Sequence, residues 1–136
     1  MKTRRIVALA VVAPLLLVGC RNRLTSQDYQ DRLCNAVASL DGSVAELASL
    51  QPTTANVARV KALRVKMEAQ YKQVQASAKK AGGVGIDAVT RAYNDVLSSI
   101  NGVNDESSFA QAEPRIDQVA GEFSDARLQL HDQAGC

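Results

Sequence analysis

Apolar side chains recur every three or four positions in four stretches of this 136-residue chain, and residues that stop helices separate the stretches. Tyr29, Leu33, Ala36, Val37, Leu40, Val44, Leu47 and Leu50 draw the first stripe. That spacing predicts a helix from about residue 25 to 50, ended by Gln51 and Pro52. Val57, Val60, Leu63, Met67, Tyr71, Val74 and Ala78 draw the second. Thr53 or Thr54 offers a capping hydroxyl at its start, while Lys79 and Lys80 complement the helix dipole at its end, where GGVG at 82–85 stops it.

The third stripe is Ile86, Val89, Tyr93, Val96, Leu97 and Ile100, with Asp87 in the first turn and spaced to pair with Arg91. The run NGVNDESS at 101–108 consists almost wholly of turn formers. Phe109, Ala112, Ile116, Val119, Phe123, Ala126 and Leu130 make the fourth stripe, into which Pro114 intrudes. Either the regular helix starts near Glu113 after a short turn at Ser108, with Pro114 in its tolerant first turn, or a longer helix is kinked there. The first start is the preferred expectation. No stretch alternates as a strand does.

Short connections between such helices favour antiparallel neighbours, so the expected fold is all-α: an antiparallel up-down-up-down four-helix bundle. This topology brings the end of the fourth helix beside the start of the first, and so Cys136 toward Cys34. A bond between them would close a loop of roughly 100 residues and stabilise the fold by about 4 to 5 kcal/mol in the chain-entropy model. The alternatives are two unbonded cysteines or a bond between chains.

The chain opens differently. Lys2, Arg4 and Arg5 precede a mostly apolar run from Ile6 to Val18, too short to span a bilayer, and charge returns at Arg21 and Arg23. The residues Leu17, Val18, Gly19 and Cys20 resemble the lipobox of bacterial lipoproteins. The resemblance implies that residues 1–19 are a signal peptide cut off ahead of Cys20 and that residues 20–136 form one helical domain. It further implies that acyl chains on Cys20 hold that domain to the extracytoplasmic side of a membrane. Each buried methylene contributes about 0.8 kcal/mol, so two or three long chains hold where one is marginal. Arg21 is not the aspartate that marks inner-membrane retention in enterobacteria-like lipoproteins, so the cell membrane and an outer membrane are both open destinations.

Removing the first 19 residues takes away Lys2, Arg4 and Arg5 from 16 basic residues, leaving 13 against 14 acidic ones. The net charge of the domain is then minus one, and with it goes any global case for nucleic-acid binding. The remaining charge is unevenly distributed. Residues 55–81 carry Arg59, Lys61, Arg64, Lys66, Lys72, Lys79 and Lys80 against Glu68 alone. Residues 86–132 carry nine acidic residues against Arg91, Arg115 and Arg127. On the second helix most basic residues lie opposite its apolar stripe, so this face either complements acidic neighbours within the bundle or meets an outside partner. The candidate interaction face is Arg59, Lys61, Lys66, Lys72, Lys79 and Lys80. Its expected partners are an envelope protein or an anionic polymer or lipid.

Catalytic chemistry finds little support. Acidic residues of the fourth helix fall off its apolar line, no Glu-x-x-His pair occurs, and the single histidine, His131, lies at the expected frayed end of that helix. The expectation is therefore a non-enzymatic, monomeric interaction module of the cell envelope, without metal or cofactor. A phage-encoded exclusion lipoprotein would be a special case. Another class of function is a carrier that opens around a small apolar molecule, using the room left by Ala36, Ala78, Ala112 and Ala126.

Overall fold

The computed structural model describes residues 25–136; Cys20 and the signal-like segment lie outside the described residues. Four helices follow in order: α1 Ser26–Ala48, α2 Thr54–Lys80, α3 Asp87–Ile100 and α4 Glu106–Ala134. The described residues contain no strand. Each helix starts or stops where local chemistry sets it. Thr25 caps α1 in a reciprocal box: its hydroxyl accepts from the Asp28 amide, while Asp28 accepts from the Thr25 amide. Thr53 caps α2 by accepting from the Asn56 amide. At its far end Gly82 and Gly83 adopt φ of 86° and 77°, left-handed backbone that favours glycine, and the Gly83 amide reaches back to the Ala78 carbonyl.

Contacts along the helices establish their directions. Arg59 and Gln70 of α2 reach Glu46 and Ser39 of α1, so these two helices are antiparallel. Tyr71 meets Thr90 while Arg64 meets Asn101, which makes α2 and α3 antiparallel too. Arg127 lies beside Asp41 and Cys136 beside Cys34, which fixes α4 against α1. The result is the expected up-down-up-down bundle, with α1 packed along both α2 and α4, and α3 packed along α4. The α2–α3 seam is wider. The 14 residues of α3 span about 21 Å, roughly half the length of α2 or α4, so the far end is closed by the loop side chain Val103, which is buried.

The four stripes become one core. Leu33, Leu40, Leu47, Met67, Phe109, Ile116 and Phe123 are its largest fully buried members. Ala92 and Ala134, absent from the expected stripes, are buried as well. Ser43 is the one buried polar side chain among the described residues, and its Oγ has no hydrogen-bond partner.

Three expectations are corrected. The fourth helix begins at Glu106, not near Glu113, and runs through Pro114. Pro114 removes one helical hydrogen bond and crowds the carbonyl four residues back, a cost of about 3 kcal/mol. Two features offset it: Asp105 and Ser108 form a reciprocal capping box, and Phe109 in the first turn is buried. His131 does not sit in a frayed end, because α4 continues to Ala134 and Gly135 then turns left-handed at φ 70°. The Cys136 amide thereby returns to the His131 carbonyl at 3.1 Å. Finally, Asp87 and Arg91 are not among the ion pairs of the described residues.

Candidate functional site: the outer face of the second helix

Helix α2 is locked on one side by Val57, Val60, Leu63, Met67, Val74 and Ala78, all buried. The opposite side is therefore held facing outward, and Arg59, Lys61, Lys66, Lys72, Lys79 and Lys80 are all exposed. The six do not form one uniform patch. Arg59 donates through Nε to Glu46 Oε1 at 2.9 Å and through Nη2 to the same oxygen, while Lys66 Nζ lies 3.6 Å from Glu46 Oε2. The Arg59 hydrogen bonds, and then the charges of Arg59 and Lys66, hold the Glu46 carboxyl below its ordinary range.

Lys61, Lys72, Lys79 and Lys80 have no carboxylate within ion-pair distance among the described residues. Internal complementation of the basic face is thus confined to one edge, and its acid comes from α1 rather than from α3 or α4. Arg64, off the candidate face, bridges Glu68 at 3.4 Å and Asn101 at 3.1 Å.

The remaining candidates fall elsewhere. Cys34 and Cys136 form a disulfide with Cα atoms 6.0 Å apart, closing 102 positions of sequence at the end of the bundle where α1 begins. A water-sized cavity of about 30 Å³ lies beside it, lined by Val37, Leu130 and the Arg127 stem among others. His131 is exposed, with Nδ1 3.8 Å from Asp132 Oδ1. No group of three metal-ligating side chains is brought together among the described residues.

One polar pairing was not foreseen from sequence. Tyr71 and Tyr93 stack with ring centroids 4.1 Å apart and planes 16° from parallel, and the Tyr71 hydroxyl donates to Thr90 Oγ1 at 2.8 Å. Burial, and then the nearby Glu68 charge, push the Tyr93 phenol up to about 12. The stack spans the wide α2–α3 seam, and a surface cleft of about 450 Å³ lined by Arg64, Asn94, Leu97, Ser98 and Asn101 opens in the same seam. The signal was present as two tyrosines on facing stripes, but spacing alone does not say which residues of adjacent helices meet. No family model, curated protein or solved structure matches the chain.

Proposed function

We propose that the chain is a lipid-anchored lipoprotein of the bacterial envelope that works by binding, through the outer face of α2. The observation carrying this reading is the set of lysines Lys61, Lys72, Lys79 and Lys80, exposed on a helix whose other side is fixed in the core and unmatched by acids of the bundle. Four such charges on a rigid face raise the potential toward anionic surfaces and speed encounter with them. The address comes from the lipobox-like Leu17–Cys20 run, with five residues from Cys20 to the cap of α1, a reach of about 18 Å at most. No described helix is long and apolar enough to cross a membrane.

Packing supports binding at the surface over transport of a ligand inside. Ala78 and Ala126 are buried members of the same core as Met67 and Phe123, and Ala36 and Ala112 are half-buried and packed against it, so the small residues accommodate close packing. The larger clefts lie between neighbouring helices at the surface, as does the one of about 200 Å³ between the start of α3 and the end of α4.

Two measurements test the proposal. Mass spectrometry of protein extracted from bacterial membranes should find acyl chains on an amino-terminal Cys20; an unmodified chain with another start removes the anchor. Photocrosslinking residues placed at exposed α2 positions should capture a partner in living cells, whereas equal placement on exposed positions of α3 should not. Silence on both helices removes the basic face.

A further inference from the structure

Two large apolar side chains stand out in solvent among the described residues, Val65 at 68% and Leu128 at 50% exposure. They occupy the outer sides of α2 and α4, the two helices placed diagonally across the bundle. Around Val65 runs a second, shallow seam in three-four spacing: Ala58, Ala62, Val65, Ala69, Gln73 and Ala76, all exposed. The lysines without a partner border it. On α4 the outward line is built of Ala110, Pro114, Gly121 and Leu128, with Asp117, Asp125 and Asp132 interleaved. One surface is small, apolar and positive, and the other is small, apolar and negative.

Their heights also correspond. Thr54 Oγ1 donates to Glu106 Oε2 at 3.1 Å across 52 positions, so the first residues of α2 and α4 are level. Both helices then run toward the disulfide end with the same rise of about 1.5 Å per residue. Ala58 and Ala110, four positions in from those ends, are therefore level too; toward the disulfide end the α1 contacts of Gln70 with Ser39 and of Arg127 with Asp41 shift α4 along relative to α2. Copies anchored through Cys20 in one membrane would bring the first turns of α2 and α4 to one height.

We infer that the partner of the basic face is a second copy of this chain, whose α4 packs in parallel along the outer seam of α2. The inference rests on the anchor and basic-face reading above and goes beyond the monomer expected from sequence. Because the two surfaces differ and lie on opposite sides of each molecule, the contact is head-to-tail and does not close on itself. It builds rows in the plane of the membrane. Confinement by the anchor raises the effective concentration, so contacts that are weak in solution suffice there.

The test uses the full-length chain in bacterial membranes, co-expressed in two tagged forms. One carries Ala58→Cys and the other Ala110→Cys, and the expected result is a disulfide-linked product containing both tags. Pairing Ala58→Cys with Gly121→Cys, which lies eleven positions lower on α4, should give none. Lys72→Glu with Lys80→Glu in both tagged forms should lower the cross-link yield about tenfold, as should Asp125→Lys with Asp132→Lys. Mixing one reversed form with the other should restore it, since acidic α2 then meets basic α4. Photocrosslinking residues at positions 58 and 110 repeat the measurement without added thiols.

A tag-to-tag product that ignores charge reversal, or a membrane-bound protein that forms none, overturns the self-association. If photocrosslinkers on α2 instead capture a different molecule, the self-association fails while the proposed function stands. Absence of the protein from membranes overturns both.

Discussion

The α1–α4 seam and the α2–α3 seam each join two antiparallel helices, and they do so by different means. At α1–α4 the helices pack closely, a disulfide joins Cys34 to Cys136, and Arg127 Nε lies 3.2 Å from Asp41 Oδ2, within ion-pair reach but off hydrogen-bond geometry. At α2–α3 the backbones barely approach, and long side chains span the gap: the Tyr71–Tyr93 stack, the Tyr71 bond to Thr90, and the Arg64 bond to Asn101. The difference follows from chain connectivity. Helices α2 and α3 are consecutive, so the loop at residues 81–86 already keeps them near each other at little entropic cost. Helices α1 and α4 are brought together from opposite ends of the domain, where closure costs most and a covalent link gains most.

Breaking the covalent seam should have the largest effect. Cys136→Ser is expected to lower the unfolding free energy by about 4 to 5 kcal/mol in denaturant titration, and adding reductant to the unaltered protein should do the same. A loss under 1 kcal/mol would show that the ordered α1–α4 packing closes the bundle without help.

Emptying the other seam comes next. Tyr93→Ala should cost roughly 3 kcal/mol, because its ring is buried and is the platform on which Tyr71 stacks. If the loss matches that of an exposed tyrosine, the seam is held by the loop alone.

Gly135→Ala tests how the terminus delivers Cys136 to its partner. A left-handed φ of 70° on a residue with a Cβ costs about 1 to 2 kcal/mol, and the same variant should form the disulfide more slowly on reoxidation. Tyr71→Phe removes only the hydroxyl bond to Thr90 and should cost about 1 kcal/mol while leaving the stack intact.

The last prediction is a pH dependence. The Tyr93 phenol is raised from 10 to about 12 in the folded protein, so the folded state holds its proton where the unfolded state has lost it. The stabilising contribution is therefore complete below pH 10 and declines from pH 10 to about 12. Equilibrium unfolding across that window should show the decline, and Tyr93→Phe should lack it.

Much of this comparison can be read from sequence in outline. The four stripes, the glycines ending α2, a cap at Thr53 or Thr54 and the preferred Cys34–Cys136 pairing follow from spacing and residue chemistry, and the structure selects Thr53 and the bond within one chain. What escaped did so for physical reasons. Pro114 looked like a boundary because proline disfavours helix interiors, yet Asp105 capping Ser108 and burial of Phe109 hold the helix through it. Ala92 and Ala134 escaped because one methyl group carries too little hydropathy to mark a core position. On the outer face of α2, helical geometry identifies the exposed lysines. Only side-chain reach between helices reveals that Glu46 engages Arg59 and Lys66 and leaves the others without an acid.

The sequence by itself determined four amphipathic helices, their order, and a pair of cysteines that an up-down topology would bring together, because periodicity and caps act over one or two turns of chain. Tertiary structure alone decided which helices lie close and which stand apart. It also decided which tyrosines stack, which lysines keep a carboxylate partner, and that the first turns of α2 and α4 stand level. Those outcomes depend on packing between segments remote in sequence, where no local spacing carries the information.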